Sequence, residues 1–131
     1  MKDTPVNIQL KLLSDFGIIF EYSNKKLVHS YSGSVYVKHV LGVEDDEIFD
    51  AIRYHTTAKA DMPLFSKILF MADFTSADRN YEGVDDLRVL IDEDLDKAYR
   101  GALEFTVRDL REKELPIHND TLNALKGLGV E

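Results

Sequence analysis

Two histidines and one aspartate in apolar, helix-like segments are the residues of this chain best suited to chemistry. His29 opens one such segment, His55 closes another, and Asp73 follows the apolar run 68–72. A purely structural core would avoid these groups, because burying an imidazole or a carboxylate costs free energy unless it is paired. Imidazole and carboxylate groups together suit iron, manganese and similar divalent ions. The pattern therefore predicts part of a metal site.

Two of these residues also have a structural interpretation, which the sequence leaves open. A histidine in the last turn of a helix, as expected for His55, is stabilised by the negative end of the helix dipole. We expect the carboxylate of Asp73 to be partly buried, and a salt bridge to Arg79 or Arg88 could satisfy it in place of a metal.

The charge balance limits the possible partners. The formal net charge is −8 over 131 residues, and such an acidic surface repels a phosphate backbone, so nucleic-acid binding is not expected. A small phosphorylated substrate could still bind where local cations overcome the overall field. The cations nearest in sequence to His55 and Asp73 are Lys59, Lys67, Arg79 and Arg88, and surface solvation is the alternative role for each.

The composition predicts one ordinary domain over residues 1–131. A hydrophobic fraction of 44% is sufficient for a core. The absence of cysteine excludes a disulfide scaffold and a thiolate zinc site, and it is consistent with the cytoplasm. No apolar stretch approaches the roughly 18 residues of a membrane span, so no membrane partner is expected.

Helices must position these residues, because the apolar spacing is helical almost throughout. Three helices are predicted by their ranges, 27–41, 64–74 and 84–91. Two others are predicted by their first residues: Thr4 caps the first helix of the chain, with Pro5 at its first position, and Asp45 or Asp46 caps the helix that has His55 in its last turn. Asp92 is predicted to cap a long helix, and Asn119 or Asp120 to cap the last one. The segment 64–74 is apolar on nearly every side and is therefore expected to be central. The predicted fold class is all-α.

Several segments together resemble the YqeK-type proteins, which belong to the HD-domain metal-dependent phosphohydrolases. The resemblance rests on His55-Thr56-Thr57, Met62, the run 67–73, Arg79, Gly83-Val84, Leu87-Arg88, the run 27–33, Leu95-Asp96, Pro116-Ile117-His118 and Thr121-Leu122. It extends from about Lys2 to Leu128, with the motifs in the family's order and spacing.

The resemblance implies an HD-domain-like helical bundle that cleaves diadenosine tetraphosphate symmetrically to two ADP. It also implies a bimetal centre, often occupied by iron, with ligands from five segments. His29, His55 and Asp73 match three of these segments. An early histidine and the His-Asp pair that names the superfamily have no counterpart, and no His-Asp dipeptide occurs in the sequence.

The expected place of the His-Asp pair lies just before the first residue of this chain. In the family the pair is followed by two residues and then Lys-Asp-x-Pro, and this chain begins with Met1 before Lys2-Asp3-Thr4-Pro5. We therefore expect the C-terminal portion of a longer domain, with its N-terminal helices missing. Weak metal binding, little hydrolysis and self-association through exposed apolar surface are the corresponding expectations.

The resemblance assigns a small nucleotide substrate, with Lys59 and Arg79 on the polyphosphate and Arg88 as a weaker candidate. The family's Thr-Thr-Gly-Arg reads Thr-Thr-Ala58-Lys59 here, and lysine lacks the bidentate fork of arginine. A non-catalytic helical module that binds a nucleotide or a partner protein is the rival hypothesis. A related HD enzyme with another phosphorylated substrate is a third.

Overall fold

Seven α-helices account for most of the chain that the structure, a computed structural model, describes: residues 1–21 and 25–129. They are α1 Val6–Asp15, α2 Val28–Val35, α3 Asp46–Tyr54, α4 Leu64–Phe74, α5 Val84–Glu93, α6 Leu95–Glu112 and α7 Asn119–Gly127. A 3-10 turn at Lys25–Leu27 leads into α2, and a π-helical turn at Tyr36–Val40 continues it. The described residues contain no strand, so the predicted all-α fold class is confirmed.

Aspartate caps begin α3 and α6, although only the first lies where the sequence predicted it. The carboxylate of Asp45 accepts a hydrogen bond from the backbone N–H of Glu47 at 2.9 Å. The cap of α6 is Asp94, which accepts from the backbone N–H of Lys97 at 3.1 Å. The prediction of Asp92 was wrong by two residues, because α5 continues through that position and the chain turns only at Asp94.

The caps of the first and last helices also differ from the predictions. Pro5 occupies the N-cap position of α1, and no side chain caps that helix, so the assignment of Thr4 was wrong. His118 rather than Asn119 or Asp120 caps α7, since its Nδ1 accepts from the backbone N–H of Asp120 at 3.0 Å. A ring nitrogen here satisfies the donor that a carboxylate or amide oxygen usually satisfies.

The main core lies along α6. Small and apolar residues of this helix are fully or almost fully buried, among them Ala98, Ala102 and Leu103. They belong to one cluster with Phe70 of α4 and Leu125 of α7. Alanine at two successive turns lets neighbouring helices pack close to the α6 backbone. This packing holds the buried face of α4, which carries Phe70, against α6.

Helix α4 is less central than its composition suggested. It buries Phe70 and Met71, but its opposite face leaves Leu64 65% and Ile68 51% exposed, with Phe65 also exposed. The helix was expected to be central, but only the face that carries Phe70 and Met71 is buried. Helical periodicity cannot identify a buried face when all faces are apolar.

Helices α1, α2 and α3 form a second packed unit. Leu13 of α1 is buried with Val28 and Val35 of α2. A Cβ added to Gly33 of α2 would lie 3.4 Å from the Cγ2 of Ile52 in α3, so the small residue permits close packing of the two helices. In the part of the chain described, no helix is long and apolar enough to cross a membrane.

Candidate metal centre

The imidazole rings of His29 and His55 face each other between α2 and α3. Their Nε2 atoms are 3.1 Å apart, and the ring planes are inclined by 66°. His29 lies in the first turn of α2, and His55 is the C-cap of α3. The close packing of these two helices thus brings together two residues that are far apart in the sequence.

A backbone carbonyl fixes the orientation of each ring. The Nδ1 of His29 lies 2.7 Å from the carbonyl oxygen of Lys26, and the Nδ1 of His55 lies 2.6 Å from that of Ile52. Because a carbonyl only accepts, each Nδ1 must carry the hydrogen and donate it. In neutral rings both Nε2 atoms then bear lone pairs that point at each other. This is the usual arrangement of histidine ligands whose other nitrogen is held by a carbonyl.

Two facing lone pairs 3.1 Å apart repel each other, and either a proton shared between the two Nε2 atoms or an ion bound beside both of them relieves this repulsion. Ligand bonds of about 2.1 Å at a right angle would place two donor nitrogens roughly 3.0 Å apart, close to the observed separation. The hydroxyl of Thr56 lies 3.5 Å from the Nε2 of His29 and 3.4 Å from that of His55, at the limit of hydrogen bonding. Burial lowers the pKa of His29, and the charges of His55 and Lys2 lower it further against the opposing Lys26 carbonyl. The neutral, metal-binding form is therefore favoured.

Asp73 completes the predicted trio at one cavity, but it is paired with a cation. Its Oδ2 lies 3.3 Å from the Nη2 of Arg79, and both side chains are partly exposed. Among residues 1–21 and 25–129, no three histidine, aspartate or glutamate side chains are arranged to hold an ion. The imidazole pair thus fits a divalent ion, and Asp73 is a third donor on the same cavity rather than part of a closed ligand set.

The cavity beside the two histidines has a volume of about 730 Å³ and is rich in cations. His29, His55 and Asp73 line it together with Arg79, Lys2, Lys25 and Lys26. Four cations and one carboxylate give the cavity a positive field in a chain whose formal net charge is −8. Such a local field attracts a polyanion that the rest of the surface would repel.

Three of these cations were missed from the sequence. Lys25 and Lys26 lie within one helical turn before His29, so their proximity to it could have been predicted from spacing alone. Lys2 is remote in sequence, and only the packing of α1 against α2 brings it to the cavity.

Two predicted substrate contacts lie elsewhere. The Nζ of Lys59 is 3.6 Å from the Oδ2 of Asp50, and this lysine lines a separate cavity of about 150 Å³. Arg88 donates to backbone carbonyls of the loop after α4 and to Asp85. A direct phosphate contact by either residue stays a prediction, and the described structure brings neither to the histidine pair.

The chain is similar to several proteins of known sequence. No protein-family model matches it. It is 37% identical over 119 residues to a symmetrical bis(5'-nucleosyl)-tetraphosphatase of Halalkalibacterium halodurans, covering 91% of this chain and 63% of that protein. It is also 37% identical over 98 residues to the protein of the same name from Bacillus subtilis, covering 75% and 53%. The chain thus spans little more than half the length of these curated relatives.

The fold comparison agrees. A crystal structure of a predicted HD superfamily hydrolase involved in NAD metabolism, from Clostridium acetobutylicum, has a TM-score of 0.87 and 31% sequence identity to this chain. The match covers 97% of this chain and 69% of the other. Because the same helical arrangement and a clearly related sequence extend over almost every residue, the chain belongs to the HD superfamily of hydrolases.

Proposed function

We propose that the cavity beside the histidine pair serves a metal-dependent phosphohydrolase that acts on nucleoside polyphosphates, with diadenosine tetraphosphate as the preferred candidate substrate. The observation that carries this proposal is the pair of Nε2 atoms 3.1 Å apart on a cavity lined by four cations. The activity named for the two tetraphosphatase relatives supports the substrate class.

His29 and His55 would hold the ion through Nε2, while the carbonyls of Lys26 and Ile52 keep both rings in the tautomer that leaves Nε2 unprotonated. Asp73 lines the same cavity and would supply a carboxylate oxygen to the donor set. Iron or manganese suits these donors, and a bound ion would supply a Lewis acid and a water of lowered pKa.

Arg79, Lys2 and Lys25 neutralise the polyphosphate. In the hydrolysis the oxygen of water bonds to one of the two central phosphorus atoms as the bond from that atom to the bridging oxygen breaks. The bridging oxygen leaves with the other phosphorus, the protons of water pass to the products or the solvent, and two nucleoside diphosphates result. Negative charge grows on the leaving oxygen, so cations placed nearby stabilise the transition state more than the bound substrate. Arg79 suits this task best among them, because its planar guanidinium can bind two phosphate oxygens at once.

We also infer weak metal binding and correspondingly low turnover for this chain. Two imidazoles and a carboxylate already paired with Arg79 provide fewer free donors than a tightly held catalytic ion has.

Metal binding and hydrolysis are tested separately with the purified chain. Manganese binding is measured by isothermal titration calorimetry, and ADP release from diadenosine tetraphosphate by chromatography. We expect His29→Ala and His55→Ala each to weaken manganese binding and to reduce ADP release about 100-fold or more. His39→Ala is the matched control, since His39 is exposed and its ring stacks on Phe16 away from the cavity lining.

The two readouts also separate the rival function. Unchanged manganese affinity in both histidine variants would show that the ion binds elsewhere. Manganese binding without any ADP release would favour a non-catalytic nucleotide-binding module.

A further inference from the structure

Arg79 reaches the cavity from a loop rather than from a helix. The loop, residues 75–83, joins α4 to α5, and Arg79 lies in its middle. The guanidinium contacts Asp73 at 3.3 Å, and its Nε is buried without a hydrogen-bond partner. A charged side chain on a loop keeps a fixed orientation only if the loop backbone is held in place.

Arg88 of α5 binds that backbone at three points. Its Nε donates to the carbonyl of Thr75 at 3.1 Å, and its Nη2 donates to the carbonyls of Ser76 and Arg79, each at 2.9 Å. Its Nη1 donates to the carboxylate of Asp85 at 2.8 Å. Every nitrogen of this guanidinium is therefore used within the protein, and the carbonyl of Arg79 itself is one of the acceptors.

The three hydrogen bonds from Arg88 to backbone carbonyls contribute more to holding the loop than its ion pair with Asp85 does. The Asp85 side chain is 90% exposed, and such surface pairs contribute little to stability. Charged donors to carbonyls are stronger than neutral ones, and three of them on one guanidinium tie together both ends of a short turn. The amide of Arg79 closes the same turn by donating to the carbonyl of Ser76 at 2.9 Å.

We propose that Arg88 is a positioning residue that acts through Arg79. It fixes residues 75–79 against α5, so that the guanidinium of Arg79 stays beside Asp73 and directed at the bound phosphate. This inference rests on the proposed function for its consequence in binding, and on the loop contacts alone for its structural part.

A double-mutant cycle tests the coupling. The dissociation constant of ADP, in the presence of manganese, is measured for the wild type, Arg79→Ala, Arg88→Ala and the double variant. Loss of a charged contact weakens ADP binding by about 10- to 100-fold in Arg79→Ala. We expect a similar loss in Arg88→Ala and no further loss in the double variant. Arg88→Lys, which can still donate to carbonyls, should recover part of the affinity.

Hydrogen exchange provides a readout that needs no ligand. We expect Arg88→Ala to speed amide exchange in residues 75–79, while Asp85→Asn, which removes only the exposed ion pair, leaves exchange and ADP binding at wild-type levels. Unchanged exchange in Arg88→Ala would overturn the proposal, and so would a double variant whose loss equals the product of the two single losses. If the wild type itself fails to bind ADP, the proposed function is wrong, and the exchange rates still decide whether Arg88 holds the loop.

Discussion

Single residues in this chain show why a side chain's type does not settle its role. Lys59 and Lys25 are both lysines close in sequence to a candidate histidine. Lys25 lines the cavity. Lys59 lies beside Asp50 instead, and its Nζ is 5.0 Å from the ring centroid of Tyr54. Spacing predicts which residues can come near a site, and the direction in which each side chain leaves the backbone decides which ones do.

Ala58 shows that residue type also does not settle the backbone conformation. It has a φ of 62° and is fully buried directly after the turn that carries Thr56 and Thr57. The left-handed region favours glycine, because glycine has no Cβ to clash with the backbone. The resemblance implied glycine at this position, and the structure gives the physical reason, since alanine here adopts a strained left-handed conformation in a buried turn.

His118 should make stability depend on pH. Burial lowers its pKa, and the nearby charge of Arg53 adds to this effect, while Asp120 opposes it. The unfolded state then binds a proton more readily than the folded state. Stability is therefore complete above a pH of about 6.5 and decreases as the pH falls through that value towards the lower folded pKa.

The measurement compares urea unfolding at pH 7.5 and pH 5.5 in the wild type and in His118→Asn. Asparagine can still cap α7 but does not titrate in this range. We expect the wild type to lose more unfolding free energy between these pH values than the variant does. Equal losses would assign the pH dependence to other groups, such as His29, whose pKa burial also lowers.

At the scale of elements, helix ends follow local chemistry closely. α6 ends in a motif in which the amide of Leu115 donates to the carbonyl of Leu110 and the amide of Glu114 donates to that of Arg111. The motif requires a residue in the left-handed conformation directly after the C-cap, Lys113. Glu114 occupies this position with a φ of 54°. Glycine is the residue best suited to this position, so the natural sequence leaves stability unrealised here.

Glu114→Gly should stabilise the protein by about 0.5–1 kcal/mol, because relief of left-handed strain exceeds the added entropy of glycine in the unfolded state. Thermal and chemical denaturation measure the gain. Glu114→Ala removes the same charge and keeps the positive φ, and it should show no such increase. If Glu114→Gly were less stable than the wild type, the glutamate side chain would contribute more to the free energy of unfolding than its left-handed backbone conformation costs.

At the scale of the whole molecule, α4 presents a continuous apolar face. Leu64, Phe65, Ile68 and Leu69 share one side of this helix and are 37–65% exposed. Exposed apolar patches of this kind promote association between protein molecules. Self-association through this face therefore stays our prediction for the chain in solution.

Sedimentation velocity over a range of concentrations tests that prediction. We expect a mass above that of a monomer for the wild type at high concentration, and a monomer for Ile68→Lys. Val89→Lys is the control, because Val89 is 60% exposed on α5 and does not belong to this face. A wild-type chain that stays monomeric throughout would contradict the prediction.

The sequence by itself determined the local structure: the all-α fold class, the range of α4, and the cap of α3 to within the two residues Asp45 and Asp46, of which Asp45 is the cap. These features depend on residues a few positions apart, so periodicity and capping rules are sufficient. It also singled out His29, His55 and Asp73, because polar groups in apolar helices require a reason.

Only the tertiary structure decided how these residues meet. The packing of α2 on α3 turns two ring nitrogens towards each other at 3.1 Å, and the packing of α1 brings Lys2 to their cavity. The capture of three carbonyls by Arg88 and the exposure of one face of α4 likewise depend on contacts between distant segments. Spacing along one helix cannot specify the neighbour against which that helix packs, so these features of the site were beyond sequence reasoning.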